Sequence, residues 1–153
     1  MSVFEPASWR WNRRMLGLLR IVAGLLFVMH GTQKWFGYPP SAVLRVPVPL
    51  ASQLGVASVL ETIGGTAIIF GLFTRIVAFV LSGEMAVAFF TMHVPRGLIP
   101  LVNGGELAVL YCFIYLYLVF AGAGAWSVDA LIAHSTPGSP PAPAPQRHLH
   151  HAA

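Results

Sequence analysis

The chain has 153 residues, 56% of them hydrophobic and 9% charged, with a mean hydropathy of +0.72. Soluble domains carry about a quarter charged residues, so the composition excludes an ordinary soluble domain and indicates one membrane-embedded domain. The formal net charge is +4, but the basic residues are too scattered for a nucleic-acid face, and the single Cys112 excludes an internal disulfide or a C-x-x-C motif.

Residues 1–14 read as a cytoplasmic basic lead, with Arg10, Arg13 and Arg14 interleaved with Trp9 and Trp11. A cleaved signal peptide does not fit: the apolar run that follows is too long, Arg20 interrupts it, and no small-residue cleavage site comes after it. The membrane domain is expected over residues 15–134. Its first span, Met15 to about Phe36, has the roughly 20 residues needed to cross hydrocarbon. On a helix, Gly17, Arg20, Gly24 and Gly31 share one arc, with Lys34 on its shoulder, and small residues in such an arc let another helix approach. Arg20 either snorkels to the headgroups or forms an ion pair inside the bundle, and the glycine arc favours the ion pair. The stretch Val28 to Gly37 puts His30, Gln33 and Lys34 where the span leaves the membrane, with His30 and Lys34 at i and i+4 on one face. Ionisable groups at that depth face the bundle interior. Glu61, Glu84, His93 and Glu106 are the candidates to face them.

Residues 38–49 contain Pro39, Pro40, Pro47 and Pro49 and cannot form a regular helix. This connector either lies along the interface or dips into the bundle mouth. The second span runs from about Leu50 to Leu72, with Ser58, Glu61 and Gly65 on one face and Gly55, Gly64 and Gly71 as further contact positions. Glu61, near mid-span, is open to three readings: a paired lock, a proton site, or the lining of a watered cavity. After the turn Phe73-Thr74-Arg75, with Thr74 as the expected cap, the third span runs to about Val94. Glu84 lies near its centre and His93 at its end; nine residues apart, they should point to opposite sides, so one site is not expected to use both.

A loop follows, and Asn103-Gly104-Gly105-Glu106 opens the fourth span as a variant capping box. Tyr111, Tyr115 and Tyr117 read as packing or interfacial groups. Residues 126–134 should form a short interfacial helix capped by Ser127, and residues 135–153 a disordered Pro/Ala/His tail whose histidines are not expected to hold a metal. Arg10, Arg13, Arg14, Arg75 and Arg147 fall on one side, against Arg45 and Arg96 on the other. The expected fold is an all-α membrane protein, a four-transmembrane-helix bundle with both termini cytoplasmic.

Spacing narrows the cofactors. A di-iron bundle wants Glu-x-x-His, but Gly64, Val87 and Val109 follow Glu61, Glu84 and Glu106 at that spacing. Bis-histidine haem would need His30 and His93 at equal depth, and no Gly-rich phosphate loop indicates a nucleotide. No metal, haem or nucleotide is expected. A membrane quinone fits an apolar slot with hydrogen-bond donors and proton carriers. His30, Lys34 and Glu106 are the candidate catalytic groups, and His93, Gln33, Glu61 and Arg20 the candidate binding groups.

The chain resembles the DoxX family of small four-helix bacterial membrane proteins. The matching residues are Leu19-Arg20 to Phe27, His30-Gly31 with Gln33-Lys34 and Phe36-Gly37, then Glu61 with Gly64-Gly65, and Gly71-Leu72-Phe73-Thr74-Arg75. They continue with Met85, Ala88, Thr91 and His93, then Gly104-Gly105-Glu106, and Ser127 to Leu131 is similar to the family's closing Ser-x-Asp-Ala-Leu. Glu84 is outside this pattern. The resemblance implies a multi-pass protein of the bacterial inner membrane and a subunit of a quinone-linked redox or oxidant-defence complex, working with partner subunits or as a homo-oligomer. Whether it has an activity of its own stays open. The other class of function is a non-enzymatic scaffold or assembly subunit, or a small solute transporter. Lipid is an expected partner and nucleic acid is not.

Overall fold

A computed structural model describes residues 7–40 and 47–135. The expected disordered tail, Arg45 and Arg147 lie outside the described residues. Helix α1 is Ala7–Phe36, so it starts about two turns before the apolar run and takes in Arg10, Arg13 and Arg14. Helix α2 is Gln53–Phe70 and α3 is Thr74–Arg96. After one helical turn at Pro100–Asn103 comes α4, Glu106–Ala121, and then the short α5, Val128–Ser135. All regular structure among the described residues is helical. Segments of α1, α2 and α3, at 27, 18 and 23 residues, are long and apolar enough to cross a membrane. Helix α4 is apolar but has 16 residues. At about 1.5 Å per residue it falls short of a hydrocarbon core of about 30 Å.

The glycines of the first two spans act through the side chains they lack. A Cβ on Gly24 would lie 2.9 Å from the Gly65 carbonyl oxygen, and one on Gly65 would lie 3.1 Å from the Gly24 oxygen. A Cβ on Gly31 would meet the Ser58 oxygen at 2.9 Å. So α1 and α2 cross almost backbone to backbone, as the glycine arc implied. Gly64 faces the other way, onto Leu81 of α3. Helices α3 and α4 enclose the core with Ala78, Leu81, Met85, Ala108, Tyr115 and Leu118, and Phe27 reaches it from α1. Many of the large side chains on the outside are apolar, Val22, Leu25, Phe79, Val80 and Phe113 among them. That surface suits hydrocarbon, not water.

Arg20 is fully buried and its partners correct the expectation of an ion pair. Its guanidinium donates to the carbonyls of Ile68 and Ile69, Ala123 (2.8 Å), Ala125 (3.3 Å) and Trp126 (2.8 Å). A helix end leaves carbonyls without partners, and five N–H groups in a fixed fork can satisfy five acceptors. Arg20 ties the end of α2 to the turn before α5.

The caps also differ from expectation. Phe73 precedes α3 in a left-handed conformation (φ 47°), and the Asp129 carboxylate of α5 accepts from the amides of Phe73 (2.8 Å) and Thr74 (2.9 Å). A remote carboxylate therefore takes the capping role assigned to Thr74. Ser127 caps α5 as expected, accepting from the Ala130 amide at 3.2 Å. Asn103 does not cap α4. Its Oδ1 accepts from the Gly105 amide (2.7 Å) and its Nδ2 donates to the Gly97 oxygen (2.6 Å), which braces the loop instead.

Candidate functional site

The polar residues gather at the end of the bundle where α1 and α3 finish. Val48 of the proline connector is buried there, and its amide donates to the Lys34 oxygen at 3.3 Å. The described end of the connector thus folds back over the end of α1. Beneath it lies a cavity of about 350 Å³ between α1, α2, α3 and the start of α4.

His30 and Lys34 enter this cavity from one face of α1, as their spacing required. Glu61 enters from α2, within a wide π turn at Leu60–Gly64. Lys34 Nζ donates to both Glu61 carboxylate oxygens, and their side chains are 17% and 3% exposed. The pair is therefore nearly dry, and each charge depends on the other. Of the open readings for Glu61, the paired one holds in this geometry. Glu106 does not share Lys34. It occupies the exposed first position of α4, outside the cavity wall, because α4 starts there and turns its next inward positions, Ala108 and Tyr111, to the cavity.

His93 and Glu84 both line the cavity, against the expectation from ideal helical geometry. The cause is a second π turn at Phe89–His93, which resets the register of α3 between them. His93 stacks on Phe89 (centroids 6.4 Å, planes 21° apart), and its Nδ1 is 3.2 Å from the Asn103 oxygen. Tyr111 forms part of the floor, 5.3 Å from the Phe27 ring, with the His30 ring edge-on to it at 6.2 Å. Tyr111 is thus a wall of the site, while Tyr115 beside it is core. Arg96 also lines the wall, and Gln53 links α2 to α3 near the rim by donating to Thr91 Oγ1 at 2.7 Å.

Of the candidate residues, His30, Lys34, Glu61 and His93 converge on one cavity. Gln33 donates instead to the Pro39 oxygen at 3.0 Å and braces the connector. Arg20 is bound to backbone carbonyls through its whole fork. Glu84, Tyr111 and Arg96 join the site. Glu84 announced itself only as a charge in an apolar run, and its alignment with His93 depends on a π turn that no local residue pattern signals. Among the described residues, no three His, Cys, Asp or Glu side chains gather closely enough to hold a metal ion.

A helical bundle with an apolar exterior and a charge-compensated cavity near one end defines a class, the integral membrane proteins with an internal polar site. The DoxX family matches residues 15–94, and the chain belongs to that family. It is 46% identical over 123 residues to an uncharacterized protein of Haemophilus influenzae, covering 78% of this chain and 92% of the relative. It is 27% identical over 116 residues to a Bacillus subtilis protein named "Putative oxidoreductase CatD" (75% and 84% covered). A Mycobacterium tuberculosis relative, named an uncharacterized membrane protein, is 27% identical over 151 residues (84% and 92% covered). No solved structure is a significant match.

Proposed function

We propose that the chain is a four-span inner-membrane subunit, both termini cytoplasmic, that holds a quinone headgroup in the cavity at the Lys34 end and receives electrons from a partner protein. The observation that carries this reading is the Lys34–Glu61 pair inside a mostly apolar cavity. Lys34 has three N–H donors and Glu61 takes two, which leaves one for a ligand carbonyl. His30 and His93 stand on the same wall as hydrogen-bonding and proton-carrying groups. The apolar majority of the wall suits a flat ring, and about 350 Å³ is within the range of small-molecule sites. The relative named as an oxidoreductase adds a redox context. A quinone bound there would supply uptake of two electrons and two protons. The ammonium of Lys34 would stabilise negative charge growing on a carbonyl oxygen, and His30 would deliver a proton to it. Glu61 would keep Lys34 charged and in place. Glu106, on the exposed rim, is left without a direct role.

The test is reconstitution with whatever protein co-purifies, followed by quinone reduction. His30→Ala and Lys34→Met, verified as folded, should each lower turnover or quinone affinity by about tenfold or more. Parent-like activity in both folded variants would move the reaction elsewhere. Solute flux through the purified protein alone would favour the transporter reading.

A further inference from the structure

Two cavities meet at Glu84. One is the polar cavity above. The other is a groove, also of about 350 Å³, between the outer faces of α2 and α3, with Val56, Leu60, Val80 and Val87 in its walls. Gln53, Ala57, Glu84 and Ala88 line both, so these side chains stand on the boundary between the two. Val56, Val80 and Val87 are exposed, which places the groove on the face that meets lipid.

Both carboxyl oxygens of Glu84 are shielded from solvent and have no hydrogen-bond partner. An ionised carboxylate in that state costs far more than a neutral one. The cations relieve it only in part. Lys34 is held by Glu61, whose own charge opposes a second carboxylate on the same wall, and Arg96 lies at the exposed end of α3. The other titratable groups on the wall are His30 from α1, His93 from α3 and Tyr111 from α4, and none of them bonds Glu84. A protonated carboxyl has one O–H to donate, and a buried donor without an acceptor is itself costly. A ligand that brings an acceptor to this point and an apolar chain into the groove satisfies both observations.

We propose that Glu84 stands as a neutral carboxylic acid at the opening between the cavity and the α2–α3 groove, and that it donates a hydrogen bond to the carbonyl of a quinone whose isoprenoid tail lies in the groove. The ligand's identity rests on the quinone reading, while the protonated state of Glu84 does not. The site then grips its ligand from two sides. Lys34 reaches it from α1 and Glu84 from α3, and the ligand enters sideways from the bilayer.

Infrared spectra of the ligand-free protein in lipid nanodiscs, parent against Glu84→Gln, test the first part. A carbonyl-stretch band of a protonated carboxyl, sensitive to D2O and lost in Glu84→Gln, is expected at neutral pH. A difference only in the carboxylate bands would overturn the protonated state, whatever the ligand. Binding of a benzoquinone with a two-unit isoprenoid tail and of one with no tail tests the second part. Glu84→Gln keeps a donor and should bind both within about threefold of the parent, whereas Glu84→Leu should weaken both by about tenfold. Val87→Trp, which narrows the groove, should weaken the tailed quinone alone. Parent-like binding of both quinones by Glu84→Leu would overturn the donor role, and equal binding of the tailed quinone by Val87→Trp would overturn the groove. If the parent binds neither quinone, both the quinone reading and this donor contact fall, and the infrared band alone decides the state of Glu84.

Discussion

Lys34 and Arg20 are two cations on one helix with opposite solutions to burial. Lys34 bonds a carboxylate, and all five hydrogen bonds of Arg20 go to backbone carbonyls. Lys34→Met should cost about 3–5 kcal/mol, because it strands Glu61 in a dry wall. Adding Glu61→Gln should recover part of that loss, while adding Glu106→Gln should recover none. Unfolding of the single and double variants in one detergent measures this, and strictly additive losses for Lys34 and Glu61 would reject the pair. Arg20→Lys keeps the charge but has three donors for five carbonyls. We expect it to lose about 2 kcal/mol or more through stranded acceptors. A midpoint equal to the parent's would show that charge alone matters at this position. That Arg20 is turned inward could be read from the glycine arc. Its partners could not, because backbone carbonyls freed by the end of a distant helix leave no mark in residue type.

Helices α1 and α2 meet where neither has a side chain. Gly65→Leu would have to displace Val28 and the Gly24 carbonyl, both within about 3 Å of the new Cβ. We expect overpacking to cost about 1–3 kcal/mol or to separate the helices. Gly83→Ala is the control, since nothing lies within 4 Å of its Cβ position and the helix gains a better former. Equal midpoints for Gly65→Leu and the parent would deny the close crossing. These elements were legible because apolar runs, prolines and glycines act locally: apart from the early start of α1, the three long helices lie within a few residues of where hydropathy put them. The exceptions have long-range causes. The cap of α3 comes from Asp129, 55 residues beyond Thr74. The π turns at Leu60–Gly64 and Phe89–His93 interrupt regular helices, and the second lies between Glu84 and His93.

Across the described residues, one end is tied together by Arg20 and Asp129 and the other holds the polar cavity. The convergence of His30, Lys34 and His93 was visible in the sequence, because all three fall near the ends of apolar runs. The part taken by Tyr111, and the meeting of Glu84 with His93 on one cavity, were not, because which mid-span groups share a wall depends on helix rotation and crossing. The central claim is that a quinone occupies that wall. It is tested most directly by extracting and quantifying the quinone that co-purifies from native membranes with the parent and with Ala57→Trp. That substitution fills the cavity from α2 and leaves both residues of the Lys34–Glu61 pair in the sequence. With folding of both proteins confirmed, we expect about one quinone per parent chain and a near-background level in the variant. Equal quinone in both, or none above background in the parent, would contradict the claim.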